Sequence, residues 1–245
     1  MRAFKFVSAC LAVSAAAFVL PAQAAGTWAT TLLGRDINRQ AVDVSDPDAF
    51  YLYDTTLDVT WLRNANANGA MNWFTANAWA NSLATGSGTD AIDDWRLPTM
   101  TDTSTPGCNF SYGGTDCGYN PTTSSSEMAS LYFNTLGNKS LYNTSGIYQP
   151  DFGLKNVGSF QNMRSYYYWL GAVYDRDYSM WEFDTITGLQ TTGHYSETLY
   201  AMAVRPGDVL AAVPEPETYA MMLTGLALVG ALSRRRSRAA KPLAL

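Results

Sequence analysis

The stretch Phe50-Tyr51-Leu52-Tyr53-Asp54-Thr55-Thr56-Leu57-Asp58-Val59-Thr60-Trp61-Leu62 decides the fold. Its two halves are rich in aromatic and β-branched residues, which favour strands. The polar segment Asp54-Thr55-Thr56 between them favours a turn. The sequence therefore predicts a β-hairpin, with strands at 50–54 and 57–62. Residues 36–48, which precede it, are polar and turn-prone.

Two helices are predicted after the hairpin. Trp73–Leu83 has apolar residues at i, i+3, i+4 and i+7, and Gly86 lies just beyond its end. Ser124 and Glu127 have the spacing of a capping box, with Ser124 as the N-cap, ahead of a second apolar face. Gly137 is placed to end that helix.

Short strands return in the C-terminal half, at 166–170, 179–183 and 198–204. The large side chains in them that alternate at strand spacing are interpreted as core; these are Trp169, Trp181 and Phe183. The chain thus runs from strands through two helices and a loop-rich middle to further strands. This order indicates one α+β domain.

The N-terminus has the pattern of a secretory signal peptide. Arg2 and Lys5 precede the apolar stretch Phe6–Leu20, and Ala22-Gln23-Ala24 has the A-x-A form of a cleavage site. Signal peptidase is therefore an expected partner, and the mature chain is expected to begin at Ala25. A permanent N-terminal transmembrane helix is the alternative, and the small residues at the cleavage site argue against it.

The C-terminus combines three unlike elements. Val213-Pro214-Glu215-Pro216 precedes one apolar segment, Tyr219–Leu232, and then a basic cluster. The cluster consists of Arg234, Arg235, Arg236 and Arg238. The apolar segment would rise about 21 Å as a helix, less than the roughly 30 Å hydrocarbon core of a bilayer. The arginines favour the cytoplasmic side, and the prolines hold the preceding segment extended, as a protease needs.

This arrangement resembles the PEP-CTERM sorting tail of Gram-negative bacteria. The resemblance implies export across the inner membrane and removal of the tail by an exosortase-type membrane protease. It also implies a final location at the cell surface or in the extracellular matrix, in an organism that makes exopolysaccharide. The membrane is then contacted only through the C-terminal helix before processing. A plain C-terminal membrane anchor is the alternative.

The predicted organisation has six parts. They are a signal peptide (1–24), an N-terminal lead-in (25–49), the domain itself (50–208), a linker with the Pro-Glu-Pro motif (209–218), a transmembrane sorting helix (219–232) and a basic cytoplasmic tail (233–245).

Motifs within the domain resemble the DUF1566 family, also called the Lcl C-terminal domain after a collagen-like adhesin. They are Asp58-Val59-Thr60-Trp61-Leu62, Trp73–Leu83, Asp94-Trp95-Arg96-Leu97-Pro98-Thr99, Tyr168-Trp169, Trp181-Glu182-Phe183 and Ala203-Val204-Arg205-Pro206-Gly207. The resemblance implies a C-type-lectin-like fold, and the adhesin implies binding to polymers such as glycans. Relatives often carry YWSST, where this chain has Tyr168-Trp169-Leu170-Gly171-Ala172. A function of those hydroxyls is therefore in doubt here.

The most distinctive of these motifs is interpreted as structural. Trp95 and Leu97 would fill the core, Pro98 would fix the exit turn, and Arg96 could bond backbone carbonyls. A ligand site around Arg96 is the alternative.

Charge and cysteine usage fit an exported domain. Residues 25–213 hold nine Lys or Arg against nineteen Asp or Glu, and such an acidic surface argues against binding nucleic acid. Cys108 and Cys117 form an even pair in an oxidising compartment, so a disulfide that closes the loop between them is predicted. A metal or redox role is the alternative, but no C-x-x-C motif or nearby histidine supports it.

Signs of catalysis are few. His194 is the only histidine and is placed in a predicted loop without an obvious nucleophile or acid partner. Two acidic clusters, Asp175-Arg176-Asp177 and the group Asp90, Asp93 and Asp94, offer the oxygen ligands that calcium uses. Neither matches a calcium-loop signature, so solvated charge is favoured. No cofactor is predicted, and calcium bound at these clusters is the alternative.

Tyrosines crowd the region 166–195. The candidate ligand-binding residues are Tyr166, Tyr168, Tyr174 and Tyr178. Only alternate strand residues face a core, so some of these rings should be exposed, where they suit stacking on sugars. A tyrosine-rich packed core is the alternative. The favoured function is a non-catalytic module that binds exopolysaccharide. A structural matrix component without a ligand and an enzyme of the sulfatase-modifying-factor type are the other hypotheses.

Overall fold

The computed structural model describes residues 26–86, 91–103, 111–174 and 178–210, together with 221, 223–227 and 229 in the C-terminal tail. Several predicted features lie outside the described residues: the signal peptide with Ala22 and Ala24, Asp90, Cys108, Asp175-Arg176-Asp177, Pro214-Glu215-Pro216 and the arginine cluster. The tail residues that are described are helical. Across the described parts of the chain, no helix combines the length and apolar character needed to cross a membrane.

The described fold is mixed α+β, as predicted, with two antiparallel sheets and few helices. The strands are β1 (Leu32–Arg35), β2 (Ala41–Val42), β3 (Tyr51–Asp54), β4 (Val59–Leu62), β5 (Gly118–Tyr119), β6 (Tyr167–Tyr174), β7 (Ser179–Asp184), β8 (Leu189–His194) and β9 (Val204–Pro206). The helices are α1 (Trp28–Thr31), α2 (Trp73–Ser82) and α3 (Glu127–Ala129), and α3 continues into the π-helical turn Ser130–Thr135.

The five-stranded sheet has the order β2-β1-β3-β4-β9 and contains the predicted hairpin. Strands β3 and β4 pair from Tyr51 with Leu62 to Asp54 with Val59, so the turn spans residues 55–58. The lead-in supplies two further strands: β1 precedes the stretch 36–48 that was expected to be polar and turn-prone, and β2 lies within it. The sheet therefore begins before residue 50.

The four-stranded sheet has the order β5-β8-β7-β6, and its two faces differ. One face carries Tyr168, Trp181 and Phe183 and packs into the main core together with Trp61 from the other sheet. The opposite face, here called the helix face, carries Trp169 and Met180 and is partly covered by α2. Directly paired residues of antiparallel strands share a face, so the register assigns the paired side chains of this sheet to one side or the other; the pairing of β6 with β7 is irregular between Trp169 and Val173.

The segment before β9 joins the two sheets. Tyr200 bridges to Tyr168 of β6 and Leu199 bridges to Met71, and Val204, the first residue of β9, bridges to Arg96. The predicted strand 198–204 is therefore partly correct, because regular pairing starts only at Val204.

Both predicted helices exist, but the second begins differently from expectation. Asn72 caps α2, its side chain accepting a hydrogen bond from the Thr75 backbone N–H. For α3 the N-cap is Ser126, which accepts from Ala129, so the predicted capping box with Ser124 is wrong. Glu127 is unavailable for a capping box because its carboxylate binds Arg96 and the Thr99 backbone N–H. Gly137, with φ of 68°, follows the end of the π-helical turn as predicted.

The 94–99 motif lies inside the fold. Trp95 is buried and stacks on Tyr51, with ring centroids 5.8 Å apart. Leu97 is buried under the helix face. Arg96 forms a bidentate ion pair with Glu127, at 2.7 and 2.8 Å, which links the segment between the helices to the start of α3. Arg205 forms an equivalent pair with Asp94.

Candidate functional site

The helix face of the four-stranded sheet has a covered part and an open part. The covered part holds Met180 and Trp169, against which α2 packs. The open part is a row of four residues that lie side by side on neighbouring strands: Tyr119, Leu189, Asp184 and Tyr167. Three of them retain exposed surface, whereas Asp184 is buried. The row therefore forms a shallow floor beside α2 with aromatic rings at both ends.

Glu182 lies at the boundary between these two parts. It pairs with Trp169 on one side and with Thr191 on the other, so all three share the helix face. Only 4% of Glu182 is exposed, and its Oε2 atom has no hydrogen-bond partner. Buried polar atoms are normally paired, so this carboxyl is an exception that the fold itself does not explain.

Gly193 of β8 makes room for the Glu182 carboxyl. A Cβ atom at Gly193 would lie 2.2 Å from Oε2 of Glu182, which is closer than any real contact. The carboxyl group therefore occupies the space that another residue's side chain would take. Beyond Gln190 the outer edge of β8 is not paired with β5, because β5 contains two residues only. The carboxyl thus rests near an edge of the sheet.

The surroundings of Glu182 favour its neutral form. Burial raises the pKa of Glu182 to about 8, and the acidic groups of Glu197 and Asp184 add to the shift. Helix α2, which packs on the same face, has no ionisable side chain. The neutral carboxylic acid, which can both donate and accept a hydrogen bond, is therefore the favoured form near pH 7.

Asp184, two residues further along β7, is a structural contrast. Its Oδ1 accepts from the Ile186 backbone N–H at 2.7 Å and its Oδ2 accepts from the Thr187 hydroxyl. Burial raises the pKa of Asp184, and these hydrogen bonds oppose the shift. Both of its carboxylate oxygens therefore accept hydrogen bonds from the turn between β7 and β8.

A second feature, here called the tyrosine cluster, consists of Tyr112, Tyr119, Tyr142 and Tyr148. Tyr142 is central, with its ring centroid 5.3 Å from Tyr112, 5.1 Å from Tyr119 and 6.4 Å from Tyr148. Tyr112 is 43% exposed and Tyr148 is 55% exposed. Because Tyr119 also belongs to the open row, the cluster continues directly onto the helix face of the sheet.

Hydrogen bonds hold the loops that carry this cluster. The Asn120 side chain donates to the backbone carbonyls of Tyr112 and Tyr142, at 2.6 and 2.8 Å. The ring of Tyr112 packs against Gly146, where a Cβ atom would lie 2.9 Å from the ring. The exposed rings are thus held in place rather than left on free loops.

The four tyrosines predicted to bind ligand do not form one surface. Tyr168 is fully buried, accepts a hydrogen bond from the Arg164 backbone N–H and has its pKa raised to about 12 by burial. It cannot stack on a ligand, which corrects that prediction. Tyr174 packs edge-on against Trp181. Tyr166 and Tyr178 are exposed but contact different neighbours, Tyr200 and Tyr195 respectively.

His194 is the last residue of β8 rather than part of a loop between strands. Its Nδ1 lies 2.6 Å from the Ser196 hydroxyl. The Glu197 carboxylate accepts from the backbone N–H of His194 and is therefore engaged with the main chain. Among the residues that the structure describes, no three His, Cys, Asp or Glu side chains group to hold a metal ion. Cys117 is buried and disulfide-bonded, and its pairing with Cys108 stays a prediction.

Sequence reasoning missed both the tyrosine cluster and Glu182. The cluster is assembled from residues up to 36 positions apart, from Tyr112 to Tyr148, and carries no local signal. For Glu182, by contrast, the local sequence does carry a signal. This residue lies between Trp181 and Phe183 in a strand whose burial is nearly continuous, and a charged residue in such a strand is unusual.

Comparison with known proteins identifies one segment. Residues 212–237 match the PEP-CTERM protein-sorting motif. This motif is a sorting signal of Gram-negative bacteria, and it marks the chain for export to the cell envelope or surface and for processing by an exosortase, a membrane protease. Neither the curated proteins nor the solved structures gave a match. The predicted DUF1566-like domain and C-type-lectin-like fold therefore stay predictions.

Proposed function

We propose that the mature domain of this exosortase-sorted surface protein is a non-catalytic module that binds an extracellular polysaccharide. The observation that carries the proposal is the tyrosine cluster. Four tyrosine rings connected through Tyr142, two of them strongly exposed, present apolar faces and hydroxyl groups together. This combination suits a sugar ring, which has apolar C–H faces and polar edges.

The net charge of the domain limits the class of polymer that it can bind. Residues 25–213 carry ten more acidic than basic residues, nineteen against nine. A strongly anionic polymer would be repelled, so we expect a neutral one. A single shallow site would bind with a Kd in roughly the micromolar to millimolar range, and many copies in a matrix would supply the retention that one copy lacks. The resemblance of the 94–99 motif to an adhesin module also supports this function.

Affinity electrophoresis of the exported, processed protein against the producer's own exopolysaccharide tests the proposal. We expect the polysaccharide to retard the wild type, and Tyr112→Ala and Tyr148→Ala to weaken this by about tenfold, as for loss of one aromatic contact. Tyr178→Ala is the matched control, because Tyr178 is 72% exposed but lies outside the cluster.

Three outcomes would count against the proposal. No retardation of the wild type would leave a structural matrix component as the better hypothesis. Equal retardation of every folded variant would exclude an aromatic site. If Tyr178→Ala loses retardation while the cluster variants keep it, the binding site lies in the 166–195 region instead.

A further inference from the structure

The open row continues the tyrosine cluster across the helix face of the four-stranded sheet. Tyr119 belongs to both, and from it the row crosses Leu189 and Asp184 to Tyr167 on β6. Three strand spacings separate the first residue of the row from the last, so their Cα atoms lie roughly 14 Å apart. A single sugar ring is similar in size to a tyrosine ring and cannot touch both ends of the row.

The row ends at β6 in two tyrosine rings, here called the far platform. It consists of Tyr166 and Tyr167, whose ring centroids lie 5.5 Å apart in an edge-to-face arrangement. Tyr166 is 43% exposed, and Tyr167 retains part of its surface. The ring of Tyr166 also contacts Tyr200, with 5.8 Å between centroids, which fixes its position. The row therefore has an aromatic surface at each end and an apolar residue, Leu189, between them.

The hydroxyl groups at the two ends of the row are available to a ligand. Within the described residues, no protein group forms a hydrogen bond with the hydroxyl of Tyr119 or of Tyr167. The buried tyrosines differ, because the Tyr132 hydroxyl donates to two backbone carbonyls and the Tyr168 hydroxyl accepts from a backbone N–H. A sugar unit at either end of the row thus meets a ring and an unused hydroxyl together.

The acidic groups around the row favour a neutral ligand. Burial raises the pKa values of Tyr119 and Tyr167, and Asp184 adds to both shifts. Tyr119 itself adds to the shift of Tyr167, in agreement with their position on one face. An anionic polymer would be repelled by the acidic groups, whereas protonated phenols can donate hydrogen bonds to the oxygens of a neutral sugar.

We propose that the open row and the far platform extend the tyrosine cluster into one long site for several consecutive units of a neutral, linear polysaccharide. The polymer crosses the strands, with sugar units on the tyrosine cluster, above Leu189 and on the far platform. This inference rests on the proposed polysaccharide-binding function and adds chain length as the property that the site recognises. A chain held at one end of the row has a high effective concentration at the other end, whereas a single sugar gains one contact only.

Competition in affinity electrophoresis of the exported, processed protein measures this length dependence. The probe is the producer's own exopolysaccharide, and the competitors are size-fractionated fragments from its partial hydrolysis. For the wild type, we expect competition per sugar unit to rise with fragment length and to level off once a fragment spans both ends of the row. Tyr167→Leu keeps an apolar side chain against the helix-face core. We expect it to bind the polymer about tenfold more weakly, as for loss of one aromatic contact, while the shortest competing fragments act as on the wild type.

Two further variants make the result specific. Tyr167→Phe keeps the ring and loses only the hydroxyl, so we expect it to bind the polymer within about threefold of the wild type. Val173→Ala is the matched control, because Val173 is 56% exposed on the same strand but lies away from the row. It should respond to every fragment as the wild type does. Unchanged competition by short fragments in Tyr167→Leu also shows that this variant is folded.

The outcomes separate this inference from the proposed function. If the wild type does not bind the polymer, both fail together. If Tyr112→Ala weakens binding while Tyr167→Leu keeps the length dependence of the wild type, only the extended site is overturned and binding is confined to the tyrosine cluster. Sedimentation tests whether the row is instead an interface between copies of this chain. A wild-type dimer that Tyr167→Leu dissociates would also overturn the extended site.

Discussion

The hairpins β3–β4 and β7–β8 are built on the same plan, and two of the positions at which they differ are informative. Each first strand ends in a buried aspartate, Asp54 or Asp184, and each turn has four residues before the next strand begins. In each case Oδ1 of the aspartate accepts from the backbone N–H two residues later. Two residues before the aspartate, the first hairpin has Leu52 and the second has Glu182.

This comparison shows what the fold requires at the position of Glu182. Leu52 is fully buried in the main core, and an apolar residue is what such a strand position normally holds. Glu182 is buried to a similar extent but carries a carboxyl atom without a partner. Sites that break the local rule of their fold are often functional. The difference between the two hairpins therefore marks Glu182 as a residue that its strand position does not require.

The second difference is the fourth turn residue, and it gives the largest expected effect. Both residues have positive φ, 52° for Asp58 and 70° for Gly188. A Cβ atom at Gly188 would lie 2.9 Å from Cα of Ser140 and 3.0 Å from the Phe133 ring. We expect Gly188→Ala to reduce the free energy of unfolding by roughly 3–5 kcal/mol, through backbone strain together with overpacking. Urea denaturation measures this change.

Asp58→Gly is the matched control at the equivalent position. It relieves a positive φ but loses the hydrogen bond from the Tyr53 hydroxyl at 2.8 Å. The two effects oppose each other, so we expect a change of less than about 1 kcal/mol. A small effect of Gly188→Ala would show that the second turn is less closely packed than the structure indicates.

The next effect is the pH dependence of stability, to which Glu182 contributes and Leu52, which does not titrate, cannot. The Glu182 pKa is about 8 in the folded protein, whereas the pKa of an unperturbed glutamate, taken for the unfolded chain, is 4.5. Between these values the folded state holds a proton that the unfolded state releases, so the free energy of unfolding falls as pH rises. The loss is at most about 1.4 kcal/mol per pH unit, and we expect a total on the order of 4 kcal/mol by pH 8.

Glu182→Gln should remove most of this pH dependence. Urea midpoints at pH 5 and pH 8.5 for both proteins measure it. Burial also raises the pKa values of Asp54 and Asp184, so any loss contributed by these groups has the same direction as that of Glu182. An unchanged pH profile in Glu182→Gln would mean that the Glu182 carboxyl is solvated in solution.

A double-mutant cycle of Gly193 and Glu182 tests whether the Glu182 carboxyl lies over β8. Gly193→Ala places a methyl group where Oε2 of Glu182 lies, so it should be destabilising in the wild type. In a Glu182→Ala background the space is free and the cost should fall. We expect a coupling energy of about 1–2 kcal/mol from the double-mutant cycle of urea unfolding. Additive effects would show that the two groups do not touch.

The first hairpin was predictable from sequence and the second only in part. Residues 50–62 carry strand-forming side chains on both sides of a polar turn, so the local signal agrees with the pairing. Strand β8, Leu189–His194, contains Gln, two Thr and Gly, and it is a strand because β7 pairs along its whole length. Long-range contacts likewise displaced the predicted start of α3, where Arg96 takes the Glu127 carboxylate.

The candidate site was harder to predict than the fold for the same reason. Tyrosine enrichment in 166–195 correctly suggested exposed rings, but strand register decides which rings face out, and it buries Tyr168. The tyrosine cluster depends on loops that Asn120 ties together over a distance of 22 residues. Neither register nor loop closure has a reliable signal in a single sequence.

The smallest expected effect tests whether the two turns are equivalent, on which the comparison of Leu52 with Glu182 depends. Asp54→Asn and Asp184→Asn each keep the Oδ1 acceptor for the turn N–H. The new amide meets a threonine hydroxyl, Thr135 in the first case and Thr187 in the second, and a hydroxyl can rotate to accept instead of donate. We therefore expect both variants to lose less than about 1 kcal/mol, and to agree with each other, in urea unfolding at neutral pH. A large loss of stability in only one of the two variants would show that the aspartate of that turn has a further structural or functional role. In that case Leu52 would no longer be the proper reference for Glu182.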